Sequence, residues 1–460
     1  MDGSTPLSSP SSLLQRSLGR ERGYERLHVE GRLPDDLEGT LFRVGPGLFD
    51  SVGVPVTHLF EADGAITAIR IGNGAVDGAV RIIDSAGLRD ERAAGVPLYG
   101  PRASYPRRLA SALRGRNKNT ANTAPMVYQG RLFAMMEAAK PTELDPNDLT
   151  TIGEVDLDGV VKGAFSAHPH RVASRRATYN FGVRYGRTTL LDLYELPDEG
   201  TPRRLSTLTL ERPVMLHDFI ATSKHLVFFV DPFEVNVPRA VLQLGGFGDM
   251  FRFRAEHGSE IIVVPIDDPS RPTRFRVPAF YQWHFGNAFE DGSALFVDFV
   301  RYDDARSFHT IGFDEPLGGE LVRARIEPDR GTLDLVVRSE GMVEFPLVDP
   351  RFAGSRSRTV FTNLESTTFR GVARTDLDTG AREAFRDGTH TWYSEPVFVP
   401  KRDASEGVGY LLSLVLDARA ARTHLAIFDS QRISEGPVAR AFFEDALPIT
   451  FHGIFLDACG

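Results

Sequence analysis

The chain has 460 residues, 42% hydrophobic and 25% charged, with a formal charge of −9. This is the make-up of a soluble globular protein with a substantial core, and the acidic balance excludes an ordinary nucleic-acid binder. A single cysteine, Cys459, excludes an internal disulfide and a cysteine-rich zinc site, and points to a reducing compartment. In chain order, the start MDGSTPLSSPSSLLQ is polar and lacks the basic-then-apolar order of a signal peptide. No apolar run reaches the ~20 residues that span a bilayer. Short runs rich in Val, Phe, Ile, Leu and Thr then recur: 41–49, 58–71, 124–137, 225–233, 260–268, 292–302, 333–339, 408–417 and 423–430. Turn signals stand at 62–64 (ADG), 128–130 (YQG), 290–292 (EDG) and 378–380 (DTG). Helical periodicity is best at 104–116, with shorter stretches near 12–18 and 239–254. Glycines and prolines are spread along the chain. The expectation is an N-terminal extension over 1–30, partly flexible, and one closed all-β domain over 31–460.

Four histidines lie in four separate apolar, strand-like stretches: His168 (FSAHPHR), His217 (PVMLHDFI), His284 (YQWHFGNAF) and His452 (PITFHGIF). Their spacings are 49, 67 and 168 residues. The first two match the length of a propeller blade, and the third would skip some blades. Imidazole is the commonest protein metal ligand. If the four rings converge, they form an all-nitrogen site for a divalent transition metal. Any one such histidine is more often a core residue bonded to backbone. His28, His58, His225, His257, His309, His390 and His424 are read as non-ligands, His58 as structural, and Asp63 and Asp376, which precede or sit in turns, as structural. GGFGDM lacks the strand–helix frame and the lysine of a phosphate loop.

Around these histidines stand FRVGPG (42–47), LFEADGAI (59–66), NTAPMVYQGRLFAMMEAAKPTELDP (122–146), HDF (217–219), WHFGNAFED (283–291), EFPLVDPRF (344–352), ARTDLDTG (373–380), SEPVFVPK (394–401) and FHGIF (451–455). In this order they resemble the carotenoid cleavage oxygenase family, the non-haem iron enzymes that split carotenoids, apocarotenoids and stilbenes. The resemblance implies an all-β, seven-bladed propeller with a metal on its axis, and a cap of loops and short helices over one face. It implies Fe(II) held by His168, His217, His284 and His452. SAHPH offers both His168 and His170. The family pattern gives the ligand role to His168 and leaves His170 where a basic residue is usual. Three outer glutamates follow by the same matching, Glu137, Glu344 and Glu395, leaving one histidine without a carboxylate partner.

The implied reaction adds O2 across one C=C bond of a polyene and yields two carbonyl products, with no side-chain acid, base or nucleophile. Phe60, Phe285, Trp392 and Phe451 lie nearest the matched motifs and are the expected tunnel residues. Segments 97–118 and 238–254 mix basic and apolar residues. Leu109, Leu113, Leu242, Leu244, Phe247, Phe251 and Phe253 are the expected membrane patch of a cytoplasmic, peripherally membrane-associated enzyme. Two alternatives remain. One is a stilbene- or phenylpropene-cleaving oxygenase of the same fold, in whose members a lysine stands where this chain has Met136. The other is a propeller that binds without turnover. The sequence leaves the cleaved bond and the oligomeric state open.

Overall fold

A computed structural model describes residues 10–242, 244–311, 318–339, 341–364, 370–388 and 390–458. Cys459 lies outside them. The molecule is a seven-bladed β-propeller of antiparallel sheets. Blade 1 holds Gly39–Leu48, Asp63–Gly72 and Ala75–Ile82, with His452–Asp457 on its inner edge and Arg22–Arg26 on its outer edge. Blades 2, 3 and 4 begin at the axis with Ala124–Tyr128, His170–Val172 and Ile220–Ala221. Blades 5 and 6 begin with Tyr281–Asp291 and Val343–Leu347. In blade 7, Thr391–Tyr393 and Val397–Pro400 both pair with Gly409–Asp417. Its outermost strand is His28–Gly31, paired with Ala439–Phe442. Residues 22–30 of the stretch read as an extension therefore belong to outer strands of two adjacent blades.

Apolar residues on both faces of the middle strands make the core a ring of blade-to-blade interfaces. Leu191, Leu193, Phe228 and Ile262 fill one of them, between blades 3 and 4. Phe229, Ile261, Val297 and Ala324 fill the next, between blades 4 and 5. A middle strand covered on both sides reads as a continuous apolar run, as LFVDFV and LLSLVL do. Gln129 and Gly130 both take positive φ in a two-residue hairpin, as the YQG signal implies. The ADG signal does not mark a turn. Asp63 and Gly64 open a strand, and a Cβ on Gly64 would sit 2.2 Å from the Ala121 carbonyl oxygen, so the glycine serves close backbone approach.

The expected helix at 104–116 is Tyr105–Leu113. The one near 12–18 lies earlier, at Pro10–Leu14. Among the described residues of 239–254, only 239–241, the end of the helix Val237–Val241, are α-helical, and Phe251–Phe253 is a strand paired with Phe233–Val235. Gly245, Gly246 and Gly248 separate the two, because glycine is a poor helix former. Ala86–Ala94 is a helix beyond those expected, capped by Ser85 and ended by the left-handed Gly95.

Candidate metal centre

At the axial end each blade presents one chemically distinctive side chain, from or beside its inner strand except in blade 2, where Glu137 follows the second strand, Arg131–Met135. Blade 1 gives His452, blade 3 His168, blade 4 His217 and blade 5 His284. Blades 2, 6 and 7 give Glu137, Glu344 and Glu395. One candidate nitrogen from each of the four histidines lies within 4.8 Å of those of the other three. His217 Nε2 and His284 Nε2 are 3.2 Å apart. Ring centroids are 4.3 Å apart for His168–His217 and 4.9 Å for His284–His452. His170 is outside the group. Its Nε2 lies 2.9 Å from Asp218 Oδ1, and its ring meets the Phe219 ring edge-on. His168 precedes the strand that His170 starts, so strand alternation does not tie their directions.

The glutamates sit behind the rings. His284 Nδ1 is 2.7 Å from Glu344 Oε2, and His452 Nδ1 is 2.9 Å from Glu395 Oε1. Glu137 Oε1 is 3.0 Å from His217 Nδ1 and 3.6 Å from His168 Nε2. A carboxylate on Nδ1 fixes the ring and leaves Nε2 with its lone pair directed at the common point. Among the described residues, His168 has no carboxylate of its own at hydrogen-bond distance, and its buried Nε2, like His217 Nδ1 and the Glu137 oxygens, makes no well-aligned hydrogen bond. Such an atom is costly unless something ligates it. Burial, then the neighbouring rings, pushes the His168 imidazole below its usual value and that of His284 well below it. Neutral imidazole is the ligating form. Burial raises the Glu344 carboxyl to about 7; at Glu137 burial pushes the same way, but the His217 and His168 rings together outweigh it and hold the carboxyl below the usual range. A nearby dication favours the ionised form of both. The donor set therefore fits a divalent transition metal with nitrogen preference.

Two residues steady this arrangement without having drawn attention as site residues in the sequence. Arg43, fully buried, donates to the Glu395 and Phe451 carbonyls at 2.8 Å each and to Thr450 Oγ1 at 2.9 Å. It thereby fixes the approach to His452. Asp218 accepts from the backbone N–H of Phe285 at 3.0 Å and of Phe219 at 2.8 Å, joining the His217 segment to the His284 strand. Both lie inside quoted motifs, and long-range partners gave them no local signal.

The cavity above the rings is lined by Phe60, Thr123, Trp283, Tyr302, Ile311, Phe345 and Phe451, together with His217, His284, His452 and Glu344. Of the four expected tunnel residues, Phe60 and Phe451 line it. Phe285 does not: it packs between blades against Phe229 and Phe299. Trp392 lies behind the wall, in a cluster with Leu416, Ile449 and Phe451. Trp283 and Phe345 were not singled out because bulges break the alternation. Pairing slips between Gln282 and Phe285 and between Glu344 and Leu347, so neighbouring residues share the cavity. Phe345 also has φ +53 and stacks on His284 at 4.8 Å.

The segments expected to meet a membrane touch each other through Arg108 Nη1 and the Gly245 carbonyl, 3.4 Å apart. Leu113 is 81% exposed, Leu242 50% and Leu244 42%. Leu109 is half-buried. Phe247, Phe251 and Phe253 are partly buried, packed against the cluster that holds Phe233, Trp283 and Phe308. No helix of the described residues is long and apolar enough to cross a membrane.

Residues 16–457 match the family model described as retinal pigment epithelial membrane protein (RPE65). The chain belongs to the carotenoid cleavage oxygenase family. It is 30% identical to apocarotenoid-15,15'-oxygenase of Synechocystis, over 98% of both chains. It is 28% identical to lignostilbene-alpha,beta-dioxygenase isozyme III of Sphingomonas paucimobilis over 98% of both, and 28% identical to isoeugenol monooxygenase of Pseudomonas putida over 93% of both. The cobalt-substituted Synechocystis enzyme superposes with a TM-score of 0.89 at 28% identity, over 99% of this chain and 100% of the other. Membership in the carotenoid cleavage oxygenase family makes the chain an oxidoreductase of the dioxygenase type.

Proposed function

We propose that His168, His217, His284 and His452 hold one Fe(II) ion, and that the protein cleaves a C=C bond of a carotenoid or apocarotenoid with O2. The observation that carries this is the meeting of four mutually close imidazoles, three backed by carboxylates, with His217, His284 and His452 lining an aromatic cavity. Bound there, iron supplies activation of O2 for oxidative scission, in which one C=C and one O2 become two C=O groups. Glu137, Glu344 and Glu395 orient their rings and offset the metal charge through them. Phe60, Trp283, Phe345 and Phe451 exclude water and give an apolar chain a surface to lie on. Tyr302 donates to Glu344 Oε1 at 2.9 Å, so its hydroxyl serves the outer carboxylate rather than the substrate.

The lignostilbene and isoeugenol relatives support a second reading, cleavage of a phenolic alkene. Against it stands Met136, half-buried and apolar, at the position read as lysine in stilbene-cleaving members. Residues 31–460 are read as one catalytic domain, and the enzyme as cytoplasmic and peripherally membrane-associated. Exposed Leu113, Leu242 and Leu244, flanked by Arg107, Arg114 and Arg116, suit an anionic leaflet. The test is anaerobic Fe(II) loading, then incubation under O2 with a carotenoid, an apocarotenal and a hydroxystilbene, with mass spectrometry of the products. Two carbonyl fragments from a polyene are expected. Cleavage of the stilbene alone would transfer the assignment to the phenolic class.

A further inference from the structure

His58 lies away from the four-histidine centre and joins two walls of the cavity. Its Nδ1 accepts the Phe60 backbone N–H at 3.2 Å, and its Nε2 lies 3.0 Å from the Phe308 carbonyl. A backbone N–H only donates and a carbonyl only accepts, so one neutral tautomer, protonated at Nε2, satisfies both. Glu61 Oε2 completes the turn by accepting from the backbone N–H groups of Thr57 and His58, each at 3.0 Å. The imidazole also packs on Phe60, Phe308 and Phe247, with centroids 5.0, 5.0 and 5.3 Å away. Phe60 lines the cavity. Phe308 belongs to the helix Arg306–Thr310, which runs directly into Ile311, another cavity residue. Phe247 continues outward to exposed Leu244 and Leu242. One ring therefore fixes the turn under Phe60 against the helix before Ile311, where the cavity meets the apolar surface segment.

We propose that His58 is a positioning residue that sets the separation of Phe60 and Ile311, and through it how far a polyene slides in and which double bond reaches the histidines. This rests on the polyene reading above. Losing both hydrogen bonds in His58→Phe keeps an aromatic ring but frees the two walls from each other. His58→Asn keeps an acceptor for the Phe60 N–H and is too short to reach the Phe308 carbonyl. His58→Gln has the length to restore that link.

The test measures binding of a long and a short apocarotenal to the metal-free protein by quenching of tryptophan fluorescence, Trp283 being in the cavity wall. It also measures KM, kcat per bound iron and the ratio of cleavage products on the Fe(II)-loaded protein. His58→Phe and His58→Asn are expected to raise Kd and KM for the aldehydes about three- to tenfold, the worth of one or two hydrogen bonds. They are also expected to change the product ratio, with a smaller effect on kcat, and His58→Gln to recover part of both. Should His58→Phe fail to fold, His58→Asn reads the loss of the Phe308 link alone. Unchanged Kd, KM and product ratio in a folded variant, with a wild type that binds and cleaves, would overturn this inference alone. A wild type that binds neither aldehyde would overturn the polyene reading and this inference with it.

Discussion

At the scale of single residues, the outer carboxylates and Arg43 decide whether the imidazoles point inward. Glu395 accepts from the His452 ring through Oε1 and from the Gly453 N–H through Oε2, at 2.9 and 2.8 Å. Glu395→Gln keeps the shape but sets an amide NH2 against one of those donors. Iron affinity is expected to fall about 10- to 100-fold, the usual effect of losing an outer-shell partner, with little change in melting temperature. Titration of the apoprotein with Fe(II) under nitrogen reads this, and unaltered affinity would remove Glu395 from the site. His424 tests a different property. Burial, then Arg440, lowers its imidazole to about 4, and it packs against Phe442. Free histidine titrates near 6.5. Between these values the unfolded chain binds a proton that the folded chain refuses, so stability is lost as pH falls. From pH 7 to pH 5 the loss through this one group is about 2 kcal/mol. Unfolding free energies from urea titrations of wild type and His424→Phe, both metal-free, should diverge by that amount between the two pH values. Parallel profiles would contradict the assignment.

At the scale of elements, the surface segment 237–244 separates what the sequence shows from what it hides. Alternating basic and apolar residues marked 238–254 as amphipathic, yet Phe251 and Phe253 lie on a short ribbon against the core. Hydrophobicity alone does not tell an exposed aromatic from one folded back by glycines. The exposed apolar residues here are Val237, Val241, Leu242 and Leu244. Leu242→Asp with Leu244→Asp is expected to weaken binding to anionic liposomes at least about tenfold, because apolar insertion is lost and negative charge added. Binding is read by sedimentation, and soluble-substrate turnover should persist. Equal affinity for liposomes would place the membrane contact elsewhere. The bulged inner strands carry the same lesson. His284 was legible, because WHFG stands in a strand-like run. Trp283 and Phe345 were not, because only the register slip turns them to the cavity.

At the scale of the whole molecule, the ring of blades makes one site from residues spread between 137 and 452. The four histidines and three glutamates were readable from motif order. The other contributions were not. Arg43 and Asp218 act through partners up to 408 residues away, and a single sequence does not reveal which carbonyls a buried guanidinium will meet. Strand number and blade scale suggested closure, but the closure itself depends on long-range pairing. His452–Asp457 completes blade 1, and His28–Gly31 completes blade 7. The central claim is that these distant segments hold one ferrous ion among four imidazoles. Its most direct test is iron per chain after anaerobic Fe(II) loading and desalting, in wild type and His217→Ala, with circular dichroism to confirm the fold. One iron per chain in wild type and less than about a tenth in the folded variant are expected, since one ligand in four and its link to Glu137 are lost. Equal iron in both proteins, or none in either, would contradict it.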